Sequence, residues 1–195
     1  MQVEDVGKRG TICDIVMNVV TQVGRGKMNG IKMRWISKVS ILAYAFLLLG
    51  VQLSHSAEHE KEVKSAAGQF YAALNSLFKG EVDPMLELWS HADDVTYMGP
   101  AGGMLVGWED VGSTWEEQAK LKLGGKIEPE EMHVIVSDKI GITVNYERGT
   151  NYVDGKTEQV SIRATNVFRL EDGEWKMIGH HTDIIPWLEK KAGTK

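Results

Sequence analysis

The sequence predicts an α+β domain, a cone-shaped curved antiparallel sheet packed on three helices. Two patterns and their order carry that prediction. Apolar residues fall at helical spacing through the first half of the domain, and roughly the last sixty residues read as consecutive strand-turn-strand signals. Helices first and a curling meander afterwards describe a sheet that wraps a cavity closed by helices.

The helices come in chain order. From Glu60 to Lys79, Val63, Ala67, Phe70, Leu74 and Leu77 or Phe78 recur at three- and four-residue steps, one buried stripe, and Gly80 supplies the stop. Asp83-Pro84 restarts a short helix with Asp83 as cap and Pro84 in the first position, running through Leu86, Leu88 and Trp89. Val95-Thr96-Tyr97-Met98 is a short strand stopped by Gly99-Pro100, and Met104-Leu105-Val106 follows a glycine loop. Gly107 then opens a third helix with Trp108, Val111, Trp115 and Ala119 on one side. Glu109, Asp110, Glu116 and Glu117 occupy its N-terminal half, where they oppose the macrodipole.

In the sheet, Met132, Val134 and Val136 alternate with His133 and Ile135, Ser137-Asp138-Lys139 turns the chain, and Ile140, Ile142, Val144 and Tyr146 alternate back. Asp154-Gly155 and Asp172-Gly173 are both type I′ hairpin signals, since both central residues need positive φ. A two-residue turn at Asp172-Gly173 sets Leu170 opposite Trp175, Phe168 opposite Met177, Asn166 opposite Gly179, Ala164 opposite His181 and Ile162 opposite Asp183, all on one inner face. Arg163, Thr165, Val167, Ile178 and His180 then share the outer face. Bringing Ile142, Val144 and Tyr146 to the inner face requires a one-residue shift, and Gly149 is the expected bulge.

Ahead of this domain stands a different kind of segment. Arg34 and Lys38 form a basic stretch, Val39 to Leu53 is an uncharged apolar run, and Ser54-His55-Ser56-Ala57 offers small residues before the chain turns acidic, the layout of a secretory signal peptide over 33–57. The alternative is an N-terminal membrane anchor, against which stands a run shorter than the 20 or so residues a bilayer core requires. Residues 1–32 read as a spurious or unstructured extension with Met33 as the start, and 58–195 as the exported domain, periplasmic or secreted. A mature N-terminus near Glu58 supports this reading, and an intact 1–32 in the exported protein refutes it.

From Glu58 onward 24 Asp and Glu stand against 15 Lys and Arg, a formal charge of −9. Nucleic acid demands the opposite balance. The single cysteine, Cys13, lies in the extension, so the domain has no thiol nucleophile and no cysteine-based zinc site. No G-x-S-x-G elbow, phosphate loop or H-E-x-x-H motif occurs in it. No cofactor and no metal is expected, because His180 and His181, adjacent on a strand, point to opposite faces.

Candidate chemistry sits on the polar members of the predicted inner face. His181 is placed as proton acceptor or donor, Asp183 orients it, and Asn166 is a polar contact; the alternative is Asp183 in water at a strand end and His181 in one structural hydrogen bond. Asp94, with Asp93 and Tyr97, marks the entry to the first strand, where a carboxylate against an aromatic wall would be a general base, or Asp93-Asp94 is a solvated turn. Tyr97, Trp108, Trp115 and Tyr146 are the aromatic candidates for binding a small apolar ligand, with plain core as the other reading of the tryptophans.

Over Glu60 to Trp187 the chain resembles the nuclear transport factor 2-like superfamily, specifically its SnoaL-like or ketosteroid-isomerase-like domains. The resemblance is carried by Phe70-Tyr71, Asp94-Val95-Thr96-Tyr97, Gly99-Pro100, Gly107-Trp108-Glu109-Asp110-Val111, Ala164 to Arg169, Asp172-Gly173, Trp175 to Ile178 and His180-His181. It implies a cone with an apolar pocket, often a homodimer through the outer sheet face. Its functions span isomerases, cyclases, dehydratases and non-catalytic binding or assembly modules. The isomerase-type members use a tyrosine on the first helix and acids in the cone. Tyr71 and Asp94 occupy comparable stretches, no second acid matches, and His181 matches a histidine many members carry in the last strand. The resulting expectation is an exported small-molecule pocket domain, an acid-base isomerase, cyclase or lyase on an apolar carbonyl compound. The alternative is a non-catalytic dimerisation or binding module.

Overall fold

The computed structural model describes residues 56–192. The extension over 1–32 and nearly all of the 33–57 segment lie outside the described residues. Helix α1 covers residues 56–77 and ends in a turn over 78–80. Its predicted stripe is the heart of the core: Val63, Ala67, Phe70 and Leu77 are fully buried, and Tyr71 is buried beside Phe70. Val63, Phe70 and Leu77 each contribute about 1.5–3 kcal/mol of burial. Helix α2, Asp83–Leu88, places Asp83 in its first turn rather than at the cap, which is Val82. Helix α3, Trp108–Leu121, follows Gly107 and buries Val111, Trp115 and Ala119 while Glu109 and Asp110 fill its first turn. A fourth helix that the patterning did not predict, α4 at Pro186–Ala192, closes the described chain.

Six strands form one sheet: β1 Thr96–Met98, β2 Leu105–Val106, β3 Lys126–Val136, β4 Ile140–Val153, β5 Lys156–Glu171 and β6 Glu174–Thr182, in the order β2-β1-β6-β5-β4-β3. It is an α+β cone, left open, and it departs from the prediction in strand direction. The sheet is mixed, because β1 runs parallel to β6 and the other neighbours are antiparallel. Strand β3 forms an edge, where Pro129 is tolerated because one side of the strand has no ladder to join.

Both Asp-Gly turns form as predicted, with φ of 51° and 77° at Asp154-Gly155 and 50° and 89° at Asp172-Gly173. Beyond the turns the register departs from expectation twice. Strands β4 and β5 pair without interruption from Ile140↔Arg169 to Val153↔Lys156, so no shift occurs at Gly149. That residue instead lets β3 come close, since a Cβ there would lie 1.9 Å from the Lys126 carbonyl oxygen. Between β5 and β6 a bulge does occur: Phe168 faces Met177 but Val167 faces Gly179, leaving Ile178 as the extra residue.

Candidate functional site

These two register facts decide which polar side chains enter the cone. With β4 and β5 in continuous register, Thr143, Asn145 and Glu147 point inward opposite Asn166, Ala164 and Ile162. The apolar set Ile142, Val144 and Tyr146 faces out. The bulge at Ile178 then inverts the end of β6, so His180, not His181, sits beside Asn166 on the inner face. Thr143, Asn145, Glu147, Asn166 and His180 are all at least 93% buried, and Tyr71 joins them from α1.

The six side chains make one hydrogen-bond network. Tyr71 Oη is its hub: it donates to Glu147 Oε1 at 3.1 Å and accepts from Asn145 Nδ2 at 2.8 Å and Asn166 Nδ2 at 3.3 Å. Asn166 Nδ2 also donates to Thr143 Oγ1 at 3.0 Å, and Asn166 Oδ1 lies 2.6 Å from His180 Nδ1. His180 Nε2 is 3.9 Å from Glu147 Oε1. The Asn145 Oδ1 acceptor and the Trp115 Nε1 donor are buried without a partner among the described residues, each at a cost of about 1–3 kcal/mol.

Burial sets the electrostatics. It pushes the Glu147 carboxyl up to about 7, against the opposing effect of the bond donated by Tyr71. It pushes the His180 imidazole down to about 3, with the charge of His181 adding to the effect. Their 3.9 Å approach would be an ion pair only with His180 protonated, and desolvating an imidazolium here outweighs that attraction, so we read His180 as neutral. Burial foremost, then the adjacent Glu147, also raises the Tyr71 hydroxyl. The carboxyl and the neutral imidazole stand 3.9 Å apart, neighbours beyond direct hydrogen-bond distance.

Above this network a cleft of about 330 Å³ opens between α3, the loop after β1 and α4, lined by Tyr97, Leu105, Gln118, Leu121, Leu123 and Leu188 among others. Tyr97 is the partition. Its ring stacks on His180, with centroids 5.8 Å apart and planes at 17°, and meets Trp115 edge-on at 4.7 Å. Its hydroxyl accepts from Gln118 Nε2 at 3.0 Å. Gly99 makes this position possible, because a Cβ there would stand 2.0 Å from Tyr97 Oη.

Of the residues predicted for the site, Asn166, Tyr97 and Trp115 point into the cone. His181 does not: it is exposed on the outer face opposite Thr165. Asp183 is also outside, held by Arg163 Nη2 at 2.8 Å, Nε at 2.9 Å and the Arg163 backbone N–H at 3.0 Å, which lowers its pKa to about 2. Asp94 lies in a surface turn, bound by Arg169 at 2.7 and 3.1 Å, and that guanidinium holds the carboxyl below its usual range rather than above it. Tyr146 faces outward beneath the Arg148 guanidinium, 4.8 Å from the ring centroid. Trp108 is half-buried and stacks on His91 at 4.0 Å, away from the cleft. Glu147, Thr143, Asn145 and His180 are not among the residues the sequence points to; the signal for the three on β4 is the Asp154-Gly155 turn, which read as a two-residue hairpin sets Thr143 against Asn166, and His180 enters only through the bulge at Ile178. Among the described residues no group of three His, Cys, Asp or Glu is placed to hold a metal ion.

With this geometry in hand, comparison with known proteins identifies the fold. A family profile described as SnoaL-like domain matches residues 63–185. No curated protein matches the chain. Among solved structures, a provisionally named dehydratase of the NTF2-like family from Streptomyces avermitilis is 22% identical, with 66% of this chain and 97% of that one covered and a TM-score of 0.59. A provisionally named calcium/calmodulin-dependent protein kinase type II association domain from Thiobacillus denitrificans is 25% identical, covering 63% and 94%, with a TM-score of 0.54. A provisionally named ketosteroid isomerase from Shewanella frigidimarina is 18% identical, covering 63% and 94%, with a TM-score of 0.52. The chain therefore belongs to the SnoaL-like domain family, and its fold is that of NTF2-like proteins.

Proposed function

We propose that this chain is an exported small-molecule-binding domain that handles a proton. An apolar carbonyl compound occupies the cleft over Tyr97, and His180 with Glu147 supplies the acid-base pair. One observation carries the reading: six polar side chains, an acid and a base 3.9 Å apart among them, are sealed in an apolar core one aromatic ring below an apolar cleft. Burying such groups costs stability that leucines in their place would not, and the unpaired Asn145 Oδ1 and Trp115 Nε1 are spare capacity for a polar ligand atom. Names borne by similar structures, an isomerase and a dehydratase, point the same way.

The test is capture of co-purifying small molecules by native mass spectrometry, followed by titration of the captured class through tryptophan fluorescence between pH 5 and 9. The parent is expected to show affinity that changes through a midpoint near 7, and Glu147→Gln to abolish that change. Absence of any bound small molecule, or identical pH profiles for parent and variant, sinks the reading.

A second reading, homodimerisation through the outer sheet face, has its own observation. Ile135, Val144 and Tyr146 are exposed there alongside Ile142 and Val167. Val144→Glu together with Val167→Glu is expected to convert a dimer to a monomer in light scattering, and a parent that is monomeric at micromolar concentration removes this reading.

A further inference from the structure

The acid-base reading leaves open which nitrogen of His180 carries its hydrogen, and the hydrogen bonds of Asn166 decide it. The Asn166 amide nitrogen has two hydrogens and two acceptors in reach, Thr143 Oγ1 at 3.0 Å and Tyr71 Oη at 3.3 Å. Its carbonyl oxygen is then the atom 2.6 Å from His180 Nδ1. A carbonyl oxygen only accepts, so Nδ1 must carry the hydrogen, and in a neutral ring Nε2 holds the lone pair.

The opposite amide orientation fails for a specific reason. It would turn Asn166 Oδ1 toward Thr143 and Tyr71. Thr143 could donate to it, but with Glu147 ionised the single Tyr71 hydroxyl hydrogen is committed to Glu147 Oε1 at 3.1 Å. Two oxygens would then face each other at 3.3 Å with no hydrogen between them. Asn145 Nδ2, at 2.8 Å from Tyr71 Oη, reinforces the arrangement by occupying the tyrosine's other acceptor direction. The orientation of Asn166 is therefore set by Tyr71, and that of Tyr71 by Glu147.

We propose that Asn166, clamped by Thr143 and Tyr71, is a positioning residue that locks His180 in its Nδ1–H tautomer and so presents a bare Nε2 to Glu147 and to a ligand admitted past Tyr97. The functional meaning of the lock rests on the proton-handling reading above, but the lock itself is measurable without any ligand. It assigns a task to an otherwise costly buried amide. Left free, a neutral imidazole exchanges between two tautomers and offers the accepting nitrogen to the carboxyl only part of the time.

The experiment is nitrogen-15 NMR of the imidazoles in the full chain labelled at histidine, over a range above pH 7, where Glu147 is ionised. The parent is expected to show one buried ring with a protonated Nδ1 and an unprotonated Nε2, unchanged across the range. Asn166→Ala is expected to lose the single-tautomer signature and give a mixture in which Nε2–H is populated; Tyr71→Phe, which frees the amide to turn, is expected to do the same. A parent ring with hydrogen on Nε2, or a mixture in the parent, overturns the proposal. So does a single Nδ1–H tautomer that survives both substitutions. If Asn166→Ala does not fold, the parent spectrum and Tyr71→Phe still decide. Failure here leaves ligand capture untouched, and failure to capture a ligand leaves the tautomer assignment standing.

Discussion

The two Asp-Gly hairpins share the same turn and differ in everything that follows it. At Asp154-Gly155 the register set by the turn persists through fourteen pairs, from Val153↔Lys156 to Ile140↔Arg169. At Asp172-Gly173 it persists through four, and then Ile178 bulges out. The turn fixes the register only locally; what continues or breaks it is crowding along the strands. At that point β6 runs between β5, antiparallel, and β1, parallel, and Gly179 is wedged between them, its would-be Cβ 3.2 Å from Thr96 Oγ1 and 3.4 Å from Val167. A bulge there bends β6 and turns His180 inward. The unbroken hairpin buries a polar strip and the broken one supplies the histidine that meets it.

The sharpest way to break this comparison is to exchange charge across the two faces of β4. Glu147→Lys places an ammonium in the core with no carboxylate to meet it. It is expected to cost at least about 3 kcal/mol in urea unfolding, or to prevent folding, as an uncompensated buried charge does. Tyr146→Lys, one residue away on the outer face, loses a half-exposed ring and its contact with Arg148, about 0.5–1 kcal/mol. Reversed magnitudes would mean that the register shifts by one residue after all.

The next effect separates the acid on the unbroken hairpin from the base on the broken one. Glu147 has a folded pKa raised from 4.5 to about 7, so between those values the folded state holds a proton the unfolded state has released, and stability falls as pH rises. His180 has a folded pKa lowered from 6.5 to about 3, so between those values the unfolded state holds the extra proton, and stability rises with pH. Each slope approaches about 1.4 kcal/mol per pH unit. Together they predict a rise from 3 to 4.5, near cancellation from 4.5 to 6.5, and a decline toward 7. In thermal unfolding series, Glu147→Gln is expected to remove the decline and keep a rise up to 6.5. His180→Gln is expected to remove the rise and leave a fall beginning at 4.5.

How much of this was legible in the residues follows the same division. Helical spacing at Val63, Ala67, Phe70 and Leu77 reports directly on burial, because one stripe has one place to go, and the α+β cone follows from it. The aromatic partition Tyr97 and the inward Asn166 were also readable. The inward face of β4 is not legible in this way, because Ile142, Val144 and Tyr146 alternate with Thr143, Asn145 and Glu147, and hydrophobicity alone sends the wrong set inside. A polar strip pays for its place in the core with partners on other elements, Tyr71 on α1 and Asn166 on β5, which alternation along one strand cannot show. The bulge at Ile178 was hidden for a related reason: it answers to the parallel approach of β1, a contact more than eighty residues away in the chain.

The smallest expected effect concerns the acids that the sequence proposed and the fold left outside. Asp183 and Asp94 each meet a bidentate guanidinium, from Arg163 and Arg169, yet their side chains remain 39% and 65% exposed. Water and salt screen such pairs, so the low pKa of Asp183 reports a local hydrogen-bond geometry rather than a large share of stability. Asp183→Asn and Asp94→Asn are each expected to cost no more than about 1 kcal/mol at low salt, shrinking toward zero at high salt, and to leave any ligand affinity at its parent value. Glu147→Gln should instead alter the pH response of affinity at every salt concentration, because its surroundings exclude the ions that do the screening. A large loss of ligand affinity in Asp183→Asn would move the working acid back to the end of β6 and dissolve the distinction between the two hairpins.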